Sequence, residues 1–337
     1  MDWFERLTGF RENGYAEAQA RLQVDGERLM SRVNGQSYGV GRLEVLSLGE
    51  LRQKLKVTAP GRLRVSNVSA DVKALHRAPE NRGALFQVAS QFNLLEMIGP
   101  AITPEHGVTR YASDPTQGPA CAIAAGAATL YRNYFAPVEG QVGQTATRQI
   151  DGSAALRETL AEAVGLAPDA LWTMQNGYAL PSEAGLKAVA TFLRGAEPAT
   201  KDALRATLCI GLHWDVEVTD QGSPEQIVSQ AFCSAMPVSY SGLAPAAWAP
   251  LAQLVLEAAY DATLAGALLA GRGASQRRVF LTRLGGGAFG NEPAWIDQAL
   301  RRALRRFQDA NLDVRLVSYG TIAPTMRALE SEFAAEY

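Results

Sequence analysis

The chain has 337 residues, 47% of them hydrophobic and 20% charged, enough volume for a real core and the wrong composition for a disordered tail or a polar low-complexity repeat. Lys and Arg total 32 against 34 Asp and Glu, a net charge of -2, so there is no bulk field for gripping a nucleic-acid backbone or an anionic membrane. No apolar run approaches the roughly 20 residues of a bilayer span, the opening Met1-Asp2-Trp3-Phe4-Glu5-Arg6 lacks the layout of a secretory signal, and Cys121, Cys209 and Cys233 make neither a CxxC pair nor a disulfide framework; the default is a cytoplasmic enzyme or binding protein.

Residues 1 to about 60 read as an N-terminal extension, because helical patches such as Glu17-Ala18-Gln19-Ala20-Arg21-Leu22 are too few to close a core, and Pro60-Gly61 ends the region. Leu63 to Val68 alternates as a strand does, and Ala84 to Ala89 is a short apolar run of the kind buried in a parallel sheet. A polar loop covers 99 to 118, followed by a small-residue, apolar helix over Ala120 to Tyr134. Residues 136 to 205 carry helical signals at Ala154 to Val164 and Glu183 to Leu193 and look like an insertion or cap. Strands are expected at Leu208 to Val218, Ile227 to Pro237, Arg278 to Thr282 and Val314 to Tyr319, with helices over Ala246 to Leu269 and Pro293 to Ala310. Strands alternating with helices of this length favour a mainly parallel sheet covered on both faces. The expected architecture is thus one α/β domain over 61–337, three layers deep, with 1–60 and 136–205 decorating it.

The sharpest local signal is Leu284-Gly285-Gly286-Gly287-Ala288-Phe289-Gly290-Asn291-Glu292-Pro293, directly after a strand and before a helix. Three glycines clear side chains from a loop at the C-terminal edge of a sheet, letting backbone N–H groups converge on an anion beside the positive end of the helix that Pro293 opens. A phosphate or diphosphate suits that place; a bare strand-to-helix turn is the alternative. The loop is neither a Walker loop nor GxGxxG, and it sits in the last βαβ unit rather than the first.

Together with Val279 to Arg283 before it, a helix after it and Val314 to Tyr319 beyond, this run resembles the closing unit of a macro domain, a family in which the loop holds the diphosphate of ADP-ribose. Val68-Ser69-Ala70-Asp71-Val72 is similar to the family's strand-end Gly-Asp-Ile, whose aspartate reads the adenine amino group, and Leu85 to Asn93 is similar to the strand ending in Asn-Ala-Ala-Asn that faces the distal ribose. The departures are Ala70 for glycine, Ala89-Ser90 for Ala-Asn, and a catalytic loop whose positional counterpart is Asp114-Pro115-Thr116-Gln117-Gly118-Pro119-Ala120-Cys121. No Gly-Gly-Gly followed by paired glutamates is present, so the poly(ADP-ribose) glycohydrolase mechanism does not carry over. The likeness spans roughly 63–135 and 207–320 and is silent on the rest.

The resemblance implies a three-layer macro-like fold and an ADP-ribosyl hydrolase acting on ADP-ribose attached to a protein, nucleic acid or small molecule; the alternative is a reader that binds ADP-ribose without turnover. It assigns ligand contacts to Asp71, Val72, Gly118, Gly285, Gly286, Gly287, Ala288, Phe289, Gly290, Asn291 and Tyr319, and chemistry to Gln91, Asn93, Asp114 and Gln117, with Asp114 and Glu96 the nearest carboxylates for a general base. Asp71 could equally be a plain helix cap and Tyr319 a packed aromatic. Neither a cofactor nor a metal is called for, and nucleic acid enters only as a modified substrate. Strand alternation would set His213, Asp215 and Glu217 on one face, where a hard cation or simple solvation are both open readings. Arg301-Arg302-Ala303-Leu304-Arg305-Arg306 reads as a solvated basic stripe, and Cys121 and Cys233 as buried thiols.

Overall fold

The computed structural model describes residues 1–55, 61–221, 225–270 and 277–334. Pro60, half of the expected boundary turn, lies outside them. The centre is a seven-stranded mixed sheet built from β1 (Arg42–Ser47), β2 (Arg64–Ser69), β3 (Leu85–Ala89), β4 (Cys209–Glu217), β5 (Ile227–Cys233), β6 (Arg278–Leu281) and β7 (Asp313–Ser318). Its spatial order is β1-β4-β5-β3-β6-β7-β2. β4 pairs antiparallel with β1 and β5, and every other pairing is parallel.

Six helices matter for the site: α1 (Trp3–Thr8), α2 (Val72–Arg77), α3 (Gln117–Ala124), α4 (Gly126–Tyr134), α5 (Pro245–Ala270) and α6 (Pro293–Arg306). Successive strand residues point to opposite faces, so Leu85, Leu212, Val279 and Leu281 join one core with α5 and α6. Phe86, Val228 and Phe280 pack on the other face with Ala125 and Ala128. Val88 and Phe232 meet Val72 and Cys121 on that same side. This gives three layers, as the strand and helix alternation predicts. Each large side chain so buried contributes roughly 1.5–3 kcal/mol.

Three departures have identifiable causes. Residues 1–60 do more than decorate: Arg42–Ser47 is an edge strand of the central sheet, hydrogen-bonded to β4, while Leu22–Asp25, Arg28–Ser31 and Ser37–Gly39 form a separate small sheet. Edge strands are only partly buried, which blurs their alternation in sequence. The helix expected over 120–134 is two, broken at Ala125 (φ -112, ψ 58), where the Gly126 N–H turns to the Thr219 hydroxyl at 2.8 Å. A register shift between His213 and Val216, with Asp215 in the left-handed region at φ 55, breaks the alternation that would align His213, Asp215 and Glu217.

Those three residues therefore go separate ways. His213 is buried against Arg132, Nδ1 to Nη1 3.4 Å, and Glu217 accepts the Gly39 N–H at 2.7 Å. No cluster of His, Cys, Asp or Glu that could hold a metal ion occurs among the described residues. The arginine stripe of α6 is spent on ion pairs: Arg301 and Arg305 reach Glu332 at 2.8 and 2.7 Å, and Arg302 reaches the fully buried Asp261 at 2.9 Å. Cys121 and Cys233 are buried. Among the described residues, no helix is long and apolar enough to cross a membrane.

Candidate functional site

Parallel strands deliver their C-terminal ends to one edge, and ligands of open α/β sheets settle there. The ends of β3, β6, β7 and β2 all open on that edge in this protein. A cleft of about 640 Å³ runs from Ala89-Ser90-Gln91 past Glu96 and Asp114 to the loop 283–289 and Pro293. A second lobe of about 300 Å³ is bounded by Asp71, Val72, Ser318 and Tyr319. Pro115, Thr116, Gln117, Thr282 and Arg283 line both, so the two lobes share a waist.

In the large lobe, just past Thr282 and Arg283, the glycine loop is arranged for an anion. Gly285, Gly286, Gly287, Ala288 and Phe289 line the large lobe. The Gly286 N–H donates to Arg283 O and the Gly290 N–H to Gly287 O, at 3.1 and 3.0 Å. The N–H groups of Gly285, Gly287, Ala288 and Phe289 have no protein acceptor among the described residues. Gly285 and Gly290 need their lack of a side chain, with φ 72 and 69, and a Cβ at either would strike Ala235 or Ser239. Gly287 faces open space, with nothing within 4 Å of a Cβ built there. Pro293 opens α6 next to the loop, so the positive helix end faces the same point. Gly290 and Asn291 do not line the cleft, which corrects their assignment as ligand contacts. Asn291 instead ties the loop down, its Nδ2 donating to Met236 O at 2.8 Å and its N–H to Gly285 O at 2.9 Å.

In the small lobe Asp71 is a helix cap that also borders the space a ligand would fill. One carboxylate oxygen caps α2, accepting the Lys73 N–H at 2.9 Å, and the residue borders the lobe beside Val72. Tyr319 is 91% exposed at the rim. It is not a packed core aromatic, and its ring is available for stacking.

The residues expected to do chemistry divide. Gln117 is turned into the sheet edge: it accepts the Ala89 N–H at 3.0 Å and donates to Gln87 O at 2.8 Å, so it positions the end of β3. Asn93 is buried away from the cleft, donating to Gln149 Oε1 at 2.8 Å and accepting the Leu95 N–H at 3.1 Å; its assignment to catalysis is corrected on that ground. Gln91 lines the cleft while its Oε1 accepts the Met97 N–H at 2.8 Å. Asp114 lines it too, with one oxygen on the Thr116 N–H at 2.8 Å.

Glu96 is the buried carboxyl of the cleft. Its residue is 3% exposed and lines the large lobe, with the Arg132 guanidinium and the Tyr111 hydroxyl nearby but neither within good hydrogen-bond geometry of its carboxyl oxygens. Burial pushes its pKa up to about 8, against the pull of Arg132, whose Nη2 lies 3.7 Å from Oε1, and of Tyr111. Burial thus favours its neutral, protonated form. Arg132 is fully buried, donates to Leu94 O at 3.1 Å and lies over the Phe232 ring at 3.8 Å. Gly118 makes room for the carboxyl: a Cβ there would collide with the Ala89 carbonyl and lie 3.2 Å from Glu96 Cγ. Gly118 lines the cleft, where the absence of a side chain leaves room for Glu96.

Tyr178, Tyr240, Arg283, Met97 and Ile98 also line the cleft and carry no local signal in sequence. Tyr178 comes from the hairpin of Trp172–Gln175 and Tyr178–Pro181, within the presumed cap; only its tertiary placement reveals it.

Neither a known protein-family model nor a curated protein matches the chain. Solved structures similar to it include poly(ADP-ribose) glycohydrolase from Thermomonospora curvata, 16% identical, with 95% of this chain and 97% of that one covered at a TM-score of 0.44. Poly(ADP-ribose) glycohydrolase from Deinococcus radiodurans in complex with ADP-ribose is 13% identical, with 86% and 93% covered at a TM-score of 0.42.

Proposed function

We propose that this protein is an ADP-ribosyl hydrolase: it grips ADP-ribose through the diphosphate and adenine and releases it from a conjugate by attack of water at the distal anomeric carbon. The binding half of the reading is supported by the unspent N–H groups of Gly285, Gly287, Ala288 and Phe289, residues that line the large lobe. Asp71 would accept from the adenine amine, and the exposed Tyr319 ring would stack on the base.

The observation that favours turnover over mere reading is Glu96, a buried carboxyl in the cleft wall whose oxygens make no well-formed hydrogen bond. Carboxyls so costly to bury and so shifted gather in clefts where protons are transferred. In the protonated form that burial favours, Glu96 can donate to the departing atom as the anomeric C–X bond breaks, and as a carboxylate it can then take a proton from the entering water. Arg132 stabilises that transient carboxylate from 3.7 Å. Gln117 and Asn291 hold β3 and the glycine loop in register, which keeps the ribose between them.

The test is calorimetric titration with ADP-ribose beside incubation with ADP-ribosylated protein, nucleic acid and small molecules. Saturable binding with release of ADP-ribose, the release lost in Glu96→Gln while binding persists, is the expected result. Binding without release by the unaltered protein would make it a reader; no binding at all would end both readings.

A further inference from the structure

A diphosphate brings negative charge into a cleft whose lining does little to balance it. Among the described residues lining the two lobes, the carboxyl groups are those of Asp71, Glu96 and Asp114, and Arg283 is the one cationic side chain. The backbone N–H groups of the glycine loop and the start of α6 supply partial positive charge. A full positive charge on the lining comes from Arg283.

This arginine stands where such a charge would be used. It borders both lobes immediately before the glycine loop, and its Cβ lies 3.9 Å from a Cβ built at Gly286. One buried phenol fixes the backbone on either side of it: the Tyr260 hydroxyl donates to Thr282 O at 2.8 Å and accepts the Leu284 N–H at 2.9 Å. The guanidinium is held far less. Its Nη2 meets Asp297 Oδ1 at 3.2 Å, while Nε and Nη1 have no acceptor among the described residues. The Arg283 side chain is 29% exposed and that of Asp297 11%, so the pair is open on the arginine's side. A single contact of that length restrains an arginine weakly, and the unused N–H groups are the donors that anionic phosphate oxygens take best.

Resting on the ADP-ribose reading above, we infer that Arg283 is a phosphate-binding residue of this cleft, the side chain that makes it select a diphosphate over an uncharged nucleoside, while Asp297 restrains the guanidinium and damps its charge. Asp297 lines neither lobe, so it acts on the ligand through Arg283. The two members of the ion pair then have opposite effects on affinity. A pair that served only to tie the loop to α6 would give both members the same effect.

The experiment measures binding of ADP-ribose, ADP and adenosine to the full chain and to Arg283→Gln, Arg283→Lys and Asp297→Asn, each beside a thermal melt. Arg283→Gln should weaken ADP-ribose and ADP at least about tenfold and leave adenosine unchanged, with Arg283→Lys recovering part of the loss. Asp297→Asn keeps an oxygen for Nη2 but removes the opposing charge, so it should tighten both diphosphates about twofold or more. Native ADP-ribose affinity in a folded Arg283→Gln overturns the inference and leaves the hydrolase reading standing, as does a loss shared equally by adenosine. If Arg283→Gln does not fold, Asp297→Asn decides alone: diphosphate binding unchanged or weaker overturns the inference. A parent chain that binds neither ADP-ribose nor ADP ends this inference and the ADP-ribose reading together.

Discussion

Glu96 couples the chemistry to pH, and the sign follows from its surroundings. Its pKa in the fold, about 8, is raised above the usual glutamate value near 4.3. The neutral form that burial favours is the form that donates a proton, so activity should hold through neutral pH and fall as pH rises past about 8, with Glu96→Gln inactive throughout. A rate that climbs across that range would assign the proton elsewhere. Linkage gives a second readout: the contribution of the neutral carboxyl to stability is fully present below the unfolded value and is lost as pH rises through about 8. Melting temperatures should therefore shift in favour of Glu96→Gln, relative to the parent, between pH 5 and 9. Asp71 poses a different residue-scale question, because it caps α2 and borders the small lobe at once. Serine caps as well as aspartate does but is too short and uncharged to serve the adenine amine. Asp71→Ser should leave the melt near that of the parent while weakening ADP-ribose by about 1–3 kcal/mol in calorimetry; unchanged affinity would reduce Asp71 to a cap.

At the scale of the element, the strand–loop–helix unit β6 to α6 separates what glycine does for the backbone from what it does for a ligand. Gly285 and Gly290 sit at positive φ with neighbours where a Cβ would go, whereas Gly287 meets nothing within 4 Å. Gly287→Val should fold with a cost within about 0.5 kcal/mol, as at an open surface position, yet lower ADP-ribose affinity at least about tenfold by filling the anion bed. Native affinity in a folded Gly287→Val would move the diphosphate off this loop. This unit is also where the sequence was most readable, because glycine run, buried strand and N1 proline are all local signals. Strands over 85–89, 278–281 and 313–318 were legible from runs or alternation of buried apolar residues, and the edge strand over 64–69 from the alternation of Leu63, Val65 and Val68 with polar neighbours. The bulge at Asp215 and the break at Ala125 were not, since each answers to a partner far along the chain, Ser229 Oγ for the Asp215 N–H and Thr219 Oγ1 for the Gly126 N–H. Glu96 could be named as a carboxylate near the right strand, but its burial depends on Arg132, Tyr111 and the space left by Gly118, none of which is a neighbour in sequence.

Across the whole molecule, the N-terminal residues prove to be part of the site's frame. Trp3, Phe4, Leu7 and Phe10 share one buried cluster with Leu95, Met97 and Tyr111, which flank Glu96 in sequence or in space. Trp3 Nε1 donates to Thr109 O at 3.2 Å. Glu12 then latches the loop that leads to Asp114: its carboxylate accepts the Val108 N–H at 2.9 Å, the Thr109 N–H at 2.7 Å and the Tyr134 hydroxyl. Removing that acceptor leaves donors of a partly buried loop unpaired, a cost of about 1–3 kcal/mol, and frees the segment that carries Tyr111 and Asp114. Glu12→Ala should accordingly melt lower, show faster amide hydrogen exchange over 107–114, and lose turnover through a raised KM, although Glu12 itself lines no part of the cleft. Exchange is the discriminating measurement, since a lower melt alone would follow from any lost contact. If the 107–114 amides exchange at the parent's rate in Glu12→Ala, the N-terminal segment packs against the site without holding it, and Asp114 owes its place to the Thr116 turn alone.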